Sequence, residues 1–407
     1  MLNIKNYNLR SSSGRSRKRF TWPLIILLLI AYIVVVLFLP LPKLTAQGAN
    51  IPLPVSYQAS ISWPAYGQAA VGAQNYGVLA THGKQVGTPI ASIAKTMVAL
   101  AVLKQKPLKL DEQGPSVTMT ANDVKLYSAA LAQNGSVVPV QLGESLTEYQ
   151  LLQALLVPSG DNIADSLADW AYGSTTNYLS FANEQVAQWG LKNTHFADAS
   201  GLSAQTVSSA EDLVILGEKI LAEPVLAQIV SQAQVTLPII GTARNYNSIL
   251  GQENIIGIKT GNTNEAGGCF LFAAKTSINN EDVTLIGAIL DATSRNQALA
   301  DTKTFLRTNA GSFQLATTVL AGQEVGSYQT PWGKEIKVTA KSDLSILTLA
   351  GEPLSVKANF NPITKATKKG TIVGTITATS GEATATVPAV LESTISRPPF
   401  FWRLFHP

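Results

Sequence analysis

Cysteine and histidine are both scarce in this chain of 407 residues. Cys269 is the only cysteine, so the chain cannot form an internal disulfide, and its apolar surroundings predict a small buried side chain. The three histidines, His82, His195 and His406, form neither an HExxH pair nor a cluster with cysteine. A zinc hydrolase therefore has little support, and we predict no metal site.

Two other catalytic signatures are missing as well. The chain has no GxSxG motif, which argues against a serine nucleophile on a strand-to-helix elbow with His195 as its base. It also has no glycine-rich loop that would bind phosphate groups. These absences exclude neither a serine nor a lysine as the reactive group.

Net charge is small once the N-terminus is set apart. The formal charge is +4, but residues 1–19 contain six basic residues and no acidic one, which leaves 24 basic and 26 acidic residues beyond them. The remaining chain is therefore close to neutral. It shows no basic patch of the kind that binds nucleic acid, and we expect no nucleic-acid partner.

One long uncharged apolar run follows the basic cluster, from residue 20 to residue 42. As a helix its 23 residues would reach about 34 Å, so the run predicts a single transmembrane anchor. Basic residues stay on the cytoplasmic side, so we expect a single-pass protein of the cell membrane with the rest of the chain outside the cytoplasm. Small residues in "KLTAQGAN" leave cleavage as a signal peptide open, although the run is longer than a usual signal core.

The rest of the chain divides by composition. Residues 43–60 are rich in proline, glycine and small polar residues and predict a linker. Residues 61–312 mix helix and strand patterns without a regular βαβ alternation, which predicts an α/β domain on an antiparallel sheet. Short Val/Thr/Ile-rich runs over 313–392 predict a small all-β domain. The aromatic and basic tail, 393–407, fits either a lipid interface or docking against the protein itself.

The stretch "GTPIASIAKTMVALAVLKQ" places a serine and a lysine three residues apart at the start of a predicted helix. Residues at this spacing share one helix face, so Ser92 and Lys95 can touch. A serine hydroxyl is a weak nucleophile unless a neighbouring group takes its proton. A lysine in apolar surroundings loses hydration and favours the neutral amine, so Lys95 can serve as that base.

Two later motifs supply further polar groups. The "SGD" motif lies between two predicted helices, where a loop can direct the hydroxyl of Ser159 to relay a proton to a leaving amine. In "KTG", on a predicted edge strand, Lys259 and Thr260 can bind a substrate carboxylate. Gly261 leaves room for the substrate backbone. Taken singly, each motif is better explained as an ordinary helix turn or strand end.

Together, in this order, the three motifs resemble those of the low-molecular-mass penicillin-binding proteins of the D-alanyl-D-alanine carboxypeptidase type, which are serine peptidases. The flanking blocks over residues 60–310 are similar to that family too: "TPIASIAKTMVAL", "LGESLTEYQLLQALLVPSGDNIADSLADW", "LKNTHFADASGLS", "SSAEDL", "NSIL" and "GIKTGNTNEAGGCFLFAAK". The resemblance implies a penicillin-binding, β-lactamase-like transpeptidase fold, with helices flanking the antiparallel sheet. The β-rich segment that follows, especially "KKGTIVGTITAT", is similar to the C-terminal domain of these enzymes.

The resemblance also implies roles for individual residues. Ser92 would be the acylated nucleophile, Lys95 its general base and Ser159 the proton relay. The backbone N–H groups of Ser92 and Asn262 would form the oxyanion hole. Substrate binding would fall to Asp161, Asn162, Lys259, Thr260, Gly261 and Asn262. No cofactor is implied.

One position departs from the family pattern. The third residue of the second motif is usually Asn, whereas this chain has Asp161 followed by Asn162. An ionised carboxylate accepts hydrogen bonds but donates none. It would also favour Lys95 as a cation and weaken it as a base. Three outcomes stay open: Asn162 substitutes through a local shift, the enzyme tolerates Asp, or activity is reduced.

The resemblance implies a serine D-Ala-D-Ala carboxypeptidase that removes the terminal D-alanine of peptidoglycan stem peptides through an acyl-enzyme. β-Lactams would be covalent inhibitors on the same serine, and the membrane would be a partner through the N-terminal helix and the tail. A DD-endopeptidase and a β-lactam-hydrolysing relative are alternatives, although no deacylating glutamate is evident. A cell-wall-binding protein that retains the fold without catalysis is the alternative from another class.

Overall fold

The computed structural model describes residues 21–53, 60–349, 351–381 and 383–406. The predicted basic tail over 1–19, and the stretch 54–59 of the predicted linker, lie outside the described residues. The helices are α1 Thr21–Phe38, α2 Lys95–Gln105, α3 Ala121–Ala132, α4 Glu148–Leu156, α5 Asp161–Tyr172, α6 Thr175–Gln188, α7 Ala210–Ala222, α8 Pro224–Val230, α9 Arg295–Thr308 and α10 Phe400–Phe405.

The strands range from two to twelve residues in length. They are β1 Ala46–Gly48, β2 Gln68–Ala73, β3 Gly77–His82, β4 Thr88–Pro89, β5 Ser116–Thr118, β6 Ser145–Thr147, β7 Val207–Ser208, β8 Gln234–Leu237, β9 Gly241–Arg244, β10 Ile255–Thr263, β11 Gly267–Ile278, β12 Glu281–Ala292, β13 Phe313–Val319, β14 Glu324–Gln329, β15 Glu335–Ala340, β16 Leu344–Leu349, β17 Leu354–Phe360, β18 Ile372–Ser380 and β19 Ala383–Leu391.

A five-stranded sheet in the order β10-β11-β12-β2-β3 forms the centre of the predicted catalytic domain. Every neighbouring pair in it is antiparallel, which confirms the predicted sheet type. Side chains on β11 alternate between two buried clusters: Leu271 packs with the helices, and Phe270 and Phe272 pack on the opposite face. Both faces of the sheet are therefore covered. Strand β10 is at one end of the strand order, so its residues can line a cleft at that edge.

A second sheet, in the order β1-β14-β15-β19-β18-β17, forms most of the C-terminal β-rich part. Its edge strand β1 comes from the predicted linker: Ala46 pairs with Tyr328, and Gly48 with Gly326. Part of the segment 43–60 is therefore a strand rather than a free connection. The open edge of β14 supplies hydrogen-bonding partners that composition alone does not reveal.

The predicted transmembrane helix over 20–42 is not supported by the structure. Across the described parts of the chain, none of the helices combines the length and apolarity required to cross a bilayer. Helix α1 ends before Pro40 and Pro42, and a residue that precedes proline disfavours the helical conformation.

The aromatic tail docks against the protein, which was one of the two alternatives for it. Arg403 of α10 donates from Nη1 to the carbonyl oxygens of Val36, Leu37 and Leu39, at 3.2, 2.6 and 3.1 Å. These carbonyls lie at the C-terminal end of α1, where unpaired acceptors and the helix dipole favour a cation. The first and last described helices of the chain are thereby joined.

Candidate active site

Ser92 and Lys95 meet at the junction of two helical segments. Ser92 lies in a single 3₁₀ turn, Ala91–Ala94, and Lys95 is the first residue of α2, which is almost entirely buried. In a 3₁₀ turn, residues three apart are nearly eclipsed, so both side chains project in the same direction. Lys95 Nζ donates to Ser92 Oγ at 2.6 Å. The contact expected from the spacing is present.

The second motif occupies the tight turn between α4 and α5. Ser159 has a φ of 63°, in the left-handed region, which is unfavourable for a residue with a Cβ. The tight connection between the two helices imposes this conformation. The turn directs the Ser159 hydroxyl to Lys259, whose Nζ donates to it at 2.9 Å. Asp161 then begins α5. One turn therefore places a hydroxyl on the β10 side of the site and a carboxylate on the α2 side.

The third motif lies on β10, at the edge of the central sheet. Lys259 and Thr260 are buried, with 2% and 3% of their surface exposed. A Cβ at Gly261 would lie 2.6 Å from the carbonyl oxygen of Ile90 and 3.3 Å from the backbone nitrogen of Ser92. The strand thus presses against the turn that carries Ser92, and only glycine permits this approach.

Lys95 is surrounded by acceptors. Besides the Ser92 hydroxyl, its Nζ donates to Asp161 Oδ1 at 2.5 Å and to the carbonyl oxygen of Ser200 at 3.1 Å. Lys95 and Asp161 form an ion pair with side-chain exposures of 0% and 3%. Three acceptors match the three N–H groups of an ammonium ion.

Lys259 is equally buried but lacks such a partner. Its Nζ donates to the Ser159 hydroxyl and, at 3.1 Å, to the carbonyl oxygen of Thr260. No carboxylate in the described part of the chain lies within ion-pair distance of it. Burial, followed by the nearby charge of Lys95, lowers the pKa of Lys259 well below its usual value.

Asn162 does not substitute for Asp161. Its side chain accepts from the backbone N–H of Val138 at 3.0 Å and donates to the carbonyl oxygen of Val138 at 2.9 Å. The amide is therefore committed to fixing the neighbouring loop. In this structure Asp161, rather than Asn162, faces Lys95.

Sequence reasoning missed the contribution of the loop around Ser200. Its carbonyl oxygen is aimed at Lys95 because the Asp198 carboxylate accepts from the backbone N–H groups of Gly201 and Leu202, both at 2.9 Å. Gly201 has a φ of 83°, and a Cβ there would lie 1.9 Å from the carbonyl oxygen of Ala91. The only signal was the block "DASGLS" itself, which carries no recognisable catalytic pattern.

Arg295 was also missed. It begins α9, its backbone N–H donates to Asn262 Oδ1 at 3.0 Å, and its guanidinium carbon lies 4.6 Å from the centre of the Tyr246 ring. Its Nε is buried without a hydrogen-bond partner among the described residues. Its charge contributes to the lowered pKa of Lys259. A lone arginine after a strand has no sequence signature, so only the structure identifies Arg295 as a cation near Lys259.

Cys269 takes no part in the site. It pairs with Gly261 across the sheet, but its thiol is fully buried, and burial raises its pKa to about 12. It is therefore the small buried side chain that its surroundings predicted, since a nucleophilic thiol needs a low pKa and access to solvent.

Comparisons with known proteins agree with this arrangement. The D-alanyl-D-alanine carboxypeptidase family of peptidases, S11, matches residues 64–294. A D-alanyl-D-alanine endopeptidase of Pseudomonas aeruginosa is 32% identical over 280 residues, which cover 66% of this chain and 84% of that protein. The D-alanyl-D-alanine carboxypeptidase DacA of Escherichia coli is 26% identical over 309 residues, which cover 74% of this chain and 75% of that protein.

Solved structures give the same fold. Penicillin-binding protein 5 of Haemophilus influenzae superposes with a TM-score of 0.64 and 21% identity, covering 86% of this chain and all of that one. The Streptomyces K15 DD-transpeptidase superposes with a TM-score of 0.55 and 25% identity, covering 62% of this chain and all of that one. The architecture is therefore that of the penicillin-binding proteins.

Proposed function

Because this chain belongs to the D-alanyl-D-alanine carboxypeptidase family of serine peptidases, we propose that it removes the terminal D-alanine from peptidoglycan stem peptides through an acyl-enzyme on Ser92. The observation that carries this proposal is the convergence of the three motifs. Ser92 contacts Lys95, Lys95 contacts Asp161, and two residues before Asp161 the hydroxyl of Ser159 contacts Lys259.

In the proposed acylation, Ser92 Oγ attacks the carbonyl carbon of the penultimate D-alanine while Lys95 accepts the hydroxyl proton. The developing oxyanion is stabilised by the backbone N–H groups of Ser92 and Asn262. The close approach of β10 to the Ser92 turn supports this pairing of donors. Gly261, which precedes Asn262 on β10, lies against the backbone nitrogen of Ser92. Water then hydrolyses the ester and regenerates the free serine.

The β10 side of the site handles the leaving group in this proposal. Ser159, held by Lys259, transfers a proton to the departing amine of D-alanine. The terminal carboxylate is bound by Lys259 and Thr260, with Arg295 as a further cation. An incoming carboxylate supplies a negative partner that Lys259 does not find among the described residues, so binding of the anionic peptide end favours the charged amine.

β-Lactams present a carboxylate and a strained amide to the same groups, so Ser92 would be acylated by penicillin. A fluorescent penicillin should label the purified full-length protein. Ser92→Ala should abolish labelling, whereas Ser128→Ala, which removes an exposed hydroxyl on α3, should not affect it. Labelling that persists in Ser92→Ala would refute the role of Ser92. An unlabelled but folded native protein would favour a non-catalytic wall-binding protein.

A DD-endopeptidase remains the second candidate, because the relative from Pseudomonas aeruginosa with 32% identity bears that name. Both activities use the same acylation step and differ in the acyl donor. Incubation with a pentapeptide and with a cross-linked dimer, followed by mass spectrometry of the products, separates them. Release of free D-alanine from the pentapeptide supports the carboxypeptidase, and cleavage of the dimer alone supports the endopeptidase.

We also propose that the protein acts outside the cytoplasm at the cell membrane, where its substrate is found. This is supported by the exposed apolar side chains on α1 and α10, including Trp22, Phe38, Phe401 and Phe405, which are 71% to 82% exposed. Sedimentation with lipid vesicles should capture the full chain, and the captured fraction should fall when Phe401 and Phe405 are both changed to Ser, because α1 then supplies the remaining exposed apolar side chains. Equal sedimentation of both proteins would refute a lipid contact of the tail.

A further inference from the structure

The surroundings of Lys95 raise a chemical problem for the proposed acylation. Its three acceptors, Ser92 Oγ, Asp161 Oδ1 and the Ser200 carbonyl oxygen, use every N–H of an ammonium ion. An ammonium nitrogen has no lone pair, so it cannot take the serine proton. One of its protons must leave before or during the attack. The neighbouring acceptors decide where that proton goes.

Of the three acceptors, only the Asp161 carboxylate can hold a proton. A carbonyl oxygen such as that of Ser200 is far too weak a base, and Ser92 must lose a proton rather than gain one. The carboxylate oxygen lies 2.5 Å from Nζ with both side chains almost completely buried. In such a place a charged pair and a neutral pair differ far less in energy than they do in water, because burial penalises both charges.

We propose that Asp161 is the terminal proton acceptor of a two-proton relay that activates Ser92 through Lys95. As Ser92 Oγ bonds to the carbonyl carbon, its proton passes to Nζ, and one proton of Nζ passes to Asp161 Oδ1. The carbonyl π electrons become the oxyanion. Lys95 ends as it began, as an ammonium ion, and Asp161 ends as a neutral acid. When the C–N bond breaks and the carbonyl reforms, Ser159 passes one proton to the leaving amine, and the proton held by Asp161 replaces it. This inference rests on the proposed function.

The position of Asp161 is fixed from the other side as well. A Cβ at Gly135 would lie 2.4 Å from Asp161 Oδ2, and the backbone N–H of Asp161 donates to the carbonyl oxygen of Ser136 at 2.7 Å. The loop after α3 therefore leaves a space that the carboxylate occupies. The other charged groups of this neighbourhood lie on β10, on α5, on the loop after α6 and on α9: Lys259, Asp165, Asp169, Asp198 and Arg295.

The relay has a specific consequence for pH dependence. Moving a proton from Lys95 to Asp161 releases none to solvent, so the reactive form of the pair is present at the same fraction across neutral pH. A lysine without the carboxylate would have to release its proton to water. Its reactive fraction would then rise about tenfold for each pH unit until the amine is neutral.

The test is the second-order rate of acylation by a fluorescent penicillin between about pH 6 and pH 8. For the native protein we expect an almost flat profile. For Asp161→Asn we expect a rate that falls about 10- to 100-fold at pH 7 and rises steeply with pH. Asp165→Asn is the matched control: Asp165 lies one turn along α5, makes no hydrogen bond to Lys95, and has a pKa that burial raises to about 7, within the tested range. The flat profile should persist in this variant, which shows that Asp165 is not the source of the pH dependence.

A solvent-isotope proton inventory gives a readout that a purely structural role would not change. Two protons in flight give a curved dependence of rate on deuterium fraction in the native protein, and Asp161→Asn should give a straight line. Gly135→Ala, which crowds the carboxylate without removing it, should lower the acylation rate in the same direction. The relay is refuted if Asp161→Asn acylates as fast as the native protein or faster, with the same profile. Labelling of Ser92 would then still support the proposed function.

Discussion

The two sides of the active site each bury one lysine, and they treat its charge in opposite ways. On the α2 side, Lys95 contacts the Asp161 carboxylate. On the β10 side, the hydrogen-bond partners of Lys259 Nζ within the described part of the chain are the Ser159 hydroxyl and a backbone carbonyl. Both amines are almost completely shielded from water. The difference between them is therefore not burial but the partner that each one finds.

This difference suits two different tasks. A paired amine can exchange a proton with its partner without changing the net charge of the pair, which is useful in a base. An unpaired amine is a site with a missing anion, which is useful for binding the carboxylate end of a peptide. The same side chain thus serves proton transfer on one side of the site and recognition on the other.

Removing each lysine in turn gives the largest expected effect. Lys95→Met leaves the Asp161 carboxylate buried without its partner and should lower the free energy of unfolding by about 3–5 kcal/mol. Lys259→Met replaces a buried unpaired amine by an apolar side chain of similar length and should be neutral or stabilising. Chemical denaturation of both variants measures this contrast. Both should lose acylation by penicillin.

The double variant with Lys95→Met and Asp161→Asn is the control, since it removes the unpaired carboxylate and should recover part of the lost stability. Equal losses for the two lysines would show that the ion pair contributes nothing beyond packing, and would remove the distinction between the two sides.

The lowered pKa of Lys259 adds a pH dependence with a definite sign. Between its lowered folded pKa and the unfolded value of about 10.4, the unfolded chain binds more protons, so the contribution of Lys259 to stability rises with pH. The advantage of Lys259→Met over the native protein should therefore be largest at low pH and shrink as the pH approaches about 10. A melting-temperature difference that stays constant with pH would contradict a lowered pKa.

Much of this arrangement follows from local sequence. The spacing of Ser92 and Lys95, the helix-connecting turn at Ser159 and the edge strand carrying Lys259 depend on helix period, turn residues and strand pattern, which are properties of short segments. The antiparallel sheet follows from the irregular order of the same segments. These expectations are met because no distant residue is needed to produce them.

The features that were not predicted from the sequence depend on contacts between residues far apart in the chain. Ser200 reaches Lys95 through a loop 105 residues away, and Arg295 reaches Asn262 from the start of another helix. β1 was assigned to a linker because its partner, β14, lies about 280 residues further along the chain. The apolar run at the N-terminus has the composition of a spanning helix, but proline residues end the helix early, at Phe38.

A buried acid also changes the stability of the fold with pH, and its expected effect is smaller. Glu148, at the start of α4, is fully buried, and both carboxylate oxygens lack a hydrogen-bond partner among the described residues. Burial raises its pKa to about 7, so the folded state holds its proton more tightly than the unfolded chain does. Stability must therefore fall as the pH rises from about 4 to 7.

Glu148→Gln, which carries no charge at any pH, should melt at the same temperature as the native protein near pH 4. Above pH 7 it should melt roughly 2–4 °C higher. Asp123→Asn is a contrasting control, because the Asp123 carboxylate accepts from the backbone N–H and the hydroxyl of Thr120, and its loss should destabilise α3. A Glu148→Gln variant that gains nothing above pH 7 would mean that the carboxylate finds a partner in solution.

The smallest effect concerns the turn that joins the two sides. Ser159 adopts a left-handed conformation with a φ of 63°, which costs a residue with a Cβ about 1 kcal/mol and costs glycine nothing. Ser159→Ala and Ser159→Gly both remove the hydroxyl held by Lys259, so both should slow release of D-alanine. They should differ in stability, with the glycine variant higher by up to about 1 kcal/mol once its greater unfolded-state entropy is counted. Denaturant midpoints in the reverse order would show that the turn is relaxed, and that the hydroxyl reaches Lys259 without backbone strain.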